Sequence, residues 1–274
     1  MNTPSIESGA ISQRPLQGRC IGISISESDD LAAYGLSGPS VNALTVDLAR
    51  RLIAFGATVA LGHNWRTGGV MEAVAQFALA YKTQSAAPSQ PLIRNYLAAP
   101  DEPSWSESDK RDLAGLVDVQ TMGWNHQIAD ILHRVLEMGA RAPSLLERFP
   151  TDPMPESERG LNLAALRFAL AQACDVRLVI GGRCKGYQGL APGIVEEAWW
   201  SIALGKKLVV CTGMGGAALA IAEPASKAAG DILNDAEHPL AAAYLHDLHA
   251  GIEHGRVTRV DSLSTEALLC ALGS

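Results

Sequence analysis

The sequence has no closely spaced cysteines, no long apolar run, no excess of basic residues and neither of the common phosphate-loop signatures, and each absence removes a class of protein. Cys20, Cys174, Cys184, Cys211 and Cys270 lie far apart with no CxxC spacing, so nothing signals a disulfide framework or a zinc site. Buried free thiols are expected instead. Cys20, Cys174 and Cys211 sit in or beside apolar strand-like runs, where cysteine behaves as a small hydrophobe. Cys184 falls in a glycine-rich loop, but no motif supplies the base that a nucleophile needs. No apolar run reaches the roughly 18 residues of a spanning helix, and the opening MNTPSIESGAISQRPLQG lacks the basic start and apolar middle of a signal peptide. A cytoplasmic protein without membrane contact is the expectation.

Positive charge is also short. Lys and Arg number 22 against 29 Asp and Glu, a formal net charge of −7, which argues against broad attraction to nucleic acid. The P-loop signature GxxxxGKS/T is absent, and the first strand-like run continues as SISESDD where a dinucleotide oxidoreductase would carry GxGxxG. His246 and His249 lie three apart on a helix-like segment with no third ligand, so neither a metal nor a cofactor is expected. No internal repeat of fixed period is present.

What is there is a globular composition, 47% hydrophobic, in which strand-like and helix-like segments alternate. Residues 1–18, polar and carrying Pro4 and Pro15, read as a flexible arm. Residues 19–274 read as one domain. Cys20 to Ser26 is a buried strand, Val41 to Phe55 an amphipathic helix ended by Gly56, and Thr58 to Leu61 a second strand, which makes a βαβ unit. A helix is expected from Val70 to Tyr81, and a third strand from Leu92 to Leu97. Residues 98–160 read as a surface excursion: a proline-rich, mixed-charge stretch to 127, a helix from Ile128 to Gly139, and an extended loop with four prolines from Arg141 to Glu158. Leu161 to Ala173 is again helical, followed by strands at Val176 to Ile180 and Lys207 to Thr212; helices and a late strand, Arg256 to Val260, complete the chain. The pattern is that of a doubly wound α/β fold with a mainly parallel sheet and helices on both faces.

Three loops that follow strands are rich in glycine. The central one, in GGRCKGYQGLAPGIVEEA, carries Gly181, Gly182, Gly186 and Gly189, and then Pro192 and Gly193 open a helix whose free N–H groups, at Ile194 among others, suit an anion. The second carries Arg66, Gly68 and Gly69, and the third Gly213, Gly215 and Gly216. If all three strands are parallel, these loops gather at the carboxyl edge of the sheet, where open α/β sheets bind ligands. Ser24, Ser26 and Glu27 end the first strand there, while Ser28, Asp29 and Asp30 suit turn formation. Arg66 and Arg183 are the natural phosphate cations, with Lys185 a weaker one; Tyr187 or Trp65 is placed to stack on a base or to fill core. Glu196 and Glu197 fall in the first turns of the helix and flank its apolar face almost symmetrically, so helix phase does not choose between them. Trp124, Trp199 and Trp200 are core by default, though an oligomer surface is the other use for such residues.

The combination of GISISES, WRTGGVMEAV, RGLNLAALRFAL, GGRCKGYQGLAPGIVEEA and CTGMGGAA, spread over most of residues 19–222, resembles the SLOG superfamily, a Rossmann-like group that includes the Lonely Guy phosphoribohydrolases. The central segment is similar to the GGxxxGxxGxxPGIxEE signature of SLOG domains from bacterial conflict and signalling systems. The resemblance implies either binding of a nucleotide-derived signal, of ADP-ribose or nucleoside phosphate type, or hydrolysis of a nucleotide N-glycosidic bond. Alignment with the PGGxGTxxE segment of the enzymes implies Glu197 as the catalytic carboxylate, with Arg183 holding the phosphate; Ile194 stands where those enzymes have threonine, which favours sensing. Arg159 and Arg167 lie in the family-like segment before the central strand, Arg167 either reaching the site or bracing its helix. A nucleotide-derived small molecule, an effector protein and a homo-oligomeric state are the partners implied.

Overall fold

The computed structural model describes residues 14–84, 90–138, 158–235 and 238–273. The proline-rich loop expected at 141–158 and most of the arm at 1–18 lie outside them. Among the described residues seven strands form one sheet: β1 Cys20–Ser26, β2 Thr58–Leu61, β3 Ile93–Ala98, β4 Val117–Met122, β5 Val176–Gly181, β6 Lys207–Cys211 and β7 Val257–Val260. Their order is β4-β3-β2-β1-β5-β6-β7, and every pairing is parallel. This is the expected α/β class, with helices on both faces, α1 (Gly38–Ala54), α2 (Val70–Gln84) and α10 (Thr265–Gly273) on one side and α5 (Glu158–Ala173), α6 (Gly193–Ala203), α7 (Gly216–Ala222) and α9 (Pro239–Glu253) on the other. Three further helices, α3 (Glu107–Asp112), α4 (His126–Met138) and α8 (Lys227–Leu233), lie between them in sequence.

The central strands are buried on both faces, and their composition shows it. In β1, Ile21, Ile23 and Ile25 enter the apolar layer beneath α1 and α2. The alternate positions Cys20, Gly22 and Ser24 face α5 and α6, following the two-residue period of a strand. In β5 the same alternation sends Leu178 and Ile180 one way and Arg177 and Val179 the other. Trp199 and Trp200 are wholly buried, Trp199 stacked on Tyr244 at 4.3 Å between ring centres, so α6 is packed all round. Trp124 is buried too, so none of the three tryptophans forms a surface.

Two expectations are corrected. Residues 98–127 hold more than a surface excursion with some short helix: Val117–Met122 pairs with β3 as an edge strand. Its sequence VDVQTM alternates, but it is partly exposed and follows a charge-rich helix, and sheet pairing supplies what its weak apolar signal does not. Of the cysteines, Cys270 is exposed on α10, while the other four are buried. Elsewhere α1 begins three residues early, at Gly38, because Ser37 and Ser40 form a capping box and Pro39 suits the first turn.

Candidate functional site

β1 and β5 are hydrogen-bonded neighbours although about half the chain separates them. From β1 the chain works outward to β2, β3 and β4, and from β5 outward the opposite way, so the loops after these two strands diverge and leave a crevice between them. A cleft of about 580 Å³ opens there, a size that suits a small-molecule ligand.

The end of β1 supplies Ser26 and the loop after it Glu27, and the loop after β2 supplies His63, Asn64 and Arg66. The opposite wall is Arg183, Gly186 and Tyr187 from the loop after β5, with Gly193 and Ile194 at the N-terminus of α6. That wall depends on glycine. Gly182 has φ +90°, and a Cβ on it would lie 2.4 Å from Ile194 Cγ1, so no other residue lets α6 start this close to the strand end. Pro192 caps α6, leaving the first N–H groups at the cleft without intrahelical acceptors.

Arg66 and Arg183 are both exposed on the cleft and come from loops on opposite sides of it; neither makes an ion pair among the described residues. Arg66 also borders a smaller hollow of about 310 Å³ beside Trp65. Trp65 itself packs on Trp105, ring centres 4.2 Å apart, and donates its indole N–H to Asn95, so it is a structural residue at the cleft's flank. Tyr187 lies on the cleft with its hydroxyl donating to Asp235 at 3.1 Å, and burial pushes that phenol upward. Lys185 points away and pairs with Asp231 at 2.9 Å.

The two glutamates of α6 have separate fates. Glu196 is completely buried and salt-bridged to Arg167, whose guanidinium is wedged between Gly189 and Gly193 and reaches the cleft wall. Burial pushes the Glu196 carboxyl up, only partly offset by Arg167 and the indole of Trp200. Glu197 lies one turn beyond Gly193 and is 14% exposed. Its carboxylate accepts a hydrogen bond from the Ser24 hydroxyl and one from Arg177 Nη1 at 3.3 Å. Arg177 is wholly buried and also contacts Ser24 Oγ at 3.1 Å, Ser201 Oγ at 3.3 Å and Cys174 Sγ at 3.8 Å. A buried guanidinium thus holds the Glu197 carboxylate, and neither Glu197 nor Ser24 is among the residues that line the cleft.

The remaining expected residues stand off the cavity. Gly68 donates its N–H to Glu72 and accepts from Asn42, and Gly69 closes the turn around Arg66. Gly181 packs on the Ser26 carbonyl. The third glycine loop lies at the same edge of the sheet but braces its neighbours: Gly213 abuts Leu263, Gly215 abuts Asp30 and Tyr34, and Gly216 abuts Gly182 and Ser28. Ser28 donates to the Met214 carbonyl and Asp29 accepts from the Cys184 N–H, which are turn roles. Cys184 is buried, and desolvation pushes its thiol up to about 12, unfavourable for a nucleophile at neutral pH. His249 hydrogen-bonds the Ala220 carbonyl, and no cluster of three metal-ligating side chains occurs among the described residues.

Sequence reasoning passed over His63, Asn64 and Arg177. The first two carry no signal beyond following a strand. Burial pushes the His63 imidazole down, with Glu197 pulling weakly the other way. Arg177 was visible in principle, because a charge inside the apolar run VRLVI requires a buried partner.

An all-parallel, doubly wound sheet, with a cleft at its switch point that carries two arginines unpaired among the described residues and a helix N-terminus, defines a Rossmann-like protein. The chain belongs to the SLOG family: the family model described as SLOG cluster2 matches residues 15–261. Comparison with curated proteins gives no match. Family membership points to a nucleotide-related function and a small-molecule ligand. Among the described residues no helix is long and apolar enough to cross a membrane.

Proposed function

We propose that the switch-point cleft binds a nucleotide-derived signal containing ribose and phosphate, of ADP-ribose or nucleoside phosphate type, and that the protein acts as a sensor. The observation that carries this reading is the pair Arg66 and Arg183, offered to one cleft from two loops with no carboxylate partner among the described residues. Unpaired guanidiniums beside a helix N-terminus suit phosphate oxygens, and Glu27 and Asn64 suit ribose hydroxyls. Ser26, Gly193 and Ile194 would complete the wall against the ligand, while Gly68, Gly69, Gly181, Gly182, Gly189 and Pro192 shape the backbone around it.

Hydrolysis of an N-glycosidic bond is the second reading, favoured by Glu197 standing one turn below the α6 N-terminus. In that case Glu197 would stabilise the developing positive charge on the sugar while water attacks C1′ and Arg183 holds the phosphate. Sensing is preferred because the Glu197 carboxylate already accepts from Ser24 and Arg177. Incubation with AMP, NAD and ADP-ribose separates the two. A ligand-dependent rise in Tm with no free base on chromatography is expected; release of base, abolished in Glu197→Gln, would establish the hydrolase. Indifference to all three nucleotides would sink both.

A further inference from the structure

Cys20 and Cys174 play no part in the cleft, yet Cys174 shares the Arg177 cation with Glu197. Cys20 opens β1 and Cys174 is the first residue of the turn from α5 into β5. The chain draws these points together: the Cys20 N–H donates to Asp175 Oδ2 at 2.8 Å, and the Asp175 N–H donates to the Cys20 carbonyl at 2.9 Å. Both side chains lie in one small cluster with Ala60, Leu166 and Leu170. Arg177 Nη2 is 3.8 Å from Cys174 Sγ, while Nη1 of the same guanidinium contacts Ser24 and Glu197. Gly22 leaves the room for this: a Cβ there would lie 2.7 Å from Cys174 Sγ.

We propose that Cys20 and Cys174 are a redox-active dithiol, a modification site at which hydrogen peroxide closes a reversible disulfide, with Arg177 as the cation that activates Cys174. The thiols differ in role. A hydrogen bond from Cys20, supported by Arg177, holds Cys174 below the usual thiol value, whereas the same contact and burial push Cys20 up. Cys174 is therefore the thiolate that attacks and Cys20 the thiol that resolves. In the first step the Cys174 thiolate attacks one peroxide oxygen, the O–O bond breaks, and hydroxide leaves and takes a proton, giving a sulfenic acid and water. In the second the Cys20 sulfur attacks the Cys174 sulfur, the S–O bond breaks, and the departing hydroxyl takes the Cys20 proton as a second water. Two thiols and one peroxide become a disulfide and two waters, with two electrons passing from sulfur to oxygen. Burial restricts the oxidant: Cys20 is 7% and Cys174 1% exposed, which shuts out bulky disulfides and leaves the small oxidants, hydrogen peroxide among them, as the class to test.

The test uses the full chain carrying Cys270→Ser, which removes the exposed thiol. After brief peroxide treatment, alkylation under denaturing conditions and digestion, a peptide joining Cys20 to Cys174 and lost on reduction is expected. In Cys20→Ser, which lacks the resolving thiol, a sulfenic acid trapped by dimedone at Cys174 is expected. Arg177→Met should slow the oxidation about tenfold, by weakening thiolate formation. Oxidation spread evenly over Cys184 and Cys211, a Cys174 that goes to sulfinic acid without linking, or no trapped sulfenic acid in Cys20→Ser would overturn the proposal. Every readout is covalent and needs no nucleotide, so it stands or falls apart from the ligand reading.

Discussion

Replacing Gly22 by alanine tests how tightly the buried Arg177 guanidinium is packed. Gly22 has no left-handed backbone, so the cost of a methyl group there is steric alone. A Cβ would sit 2.7 Å from Cys174 Sγ, 2.9 Å from Arg177 Cζ and 3.0 Å from Arg177 Nη1, and all of these atoms belong to wholly or almost wholly buried side chains. Overpacking of this kind costs about 1–3 kcal/mol. Any displacement of the guanidinium also stretches its bonds to Ser24 and Glu197, and losing one hydrogen bond of a charged group costs about 1.5–3 kcal/mol. The two costs overlap, so a total of about 2–4 kcal/mol is expected. Urea unfolding followed by tryptophan fluorescence measures it, with Gly18→Ala as the control. Gly18 has φ +77° and open space around it, so its alanine bears only the backbone cost of about 1 kcal/mol. The same Gly22 change in an Arg177→Met background should cost less, because a flexible thioether yields. The reasoning fails if Gly22→Ala unfolds within about 0.5 kcal/mol of the parent, or if the penalty is unchanged with Arg177 gone.

Arg66→Ala and Arg183→Ala should each weaken ADP-ribose or AMP binding about tenfold or more while leaving Tm unmoved, since both side chains are exposed; calorimetry showing unchanged affinity in both would remove the phosphate role. Arg167→Met should destabilise the fold by about 3–5 kcal/mol by stranding the buried Glu196 carboxylate, and a loss below about 1 kcal/mol would contradict the pairing. Glu196→Gln gives a pH signature. Burial holds the folded carboxyl above its unfolded value of 4.5, so the native protein binds more protons and loses stability as pH rises from there towards the folded value. The glutamine does not titrate, so the parent's stability minus the variant's should fall over that rise; a difference that grows refutes it. Asp47 is opposite in sign: Arg50 and then Thr265 hold its carboxyl below 3.8, so the stability it contributes is present above that pH and lost as pH falls through the folded value. Asp47→Asn should accordingly cost stability at neutral pH and progressively less in acid.

Much of the fold was legible because its signals are local. The buried strands at 20–26, 58–61 and 176–180 are short apolar runs bounded by glycine, and the helices between them carry caps and a 3.6-residue period, so the alternation survives without tertiary context. β4 was not legible, because an edge strand with polar alternate residues draws its stability from the backbone bonds to β3. Of the candidate site, the loops after β1, β2 and β5 could be placed at one edge from the sequence alone, as strand polarity sends their ends the same way.

The sequence by itself determined that glycine would stand wherever backbone meets backbone and that a helix would open at Pro192, since those choices follow from steric limits on single residues. Only the tertiary structure decided which glutamate is which. Residues 196 and 197 are chemically identical and symmetric about the apolar face, but Arg167 of α5 presses on one side of α6, and the strands carrying Ser24 and Arg177, β1 and β5, lie on the other. It also decided that the third glycine loop would brace the first instead of lining the cleft. Each of these outcomes depends on contacts between residues far apart in the chain, and no local pattern specifies such a contact.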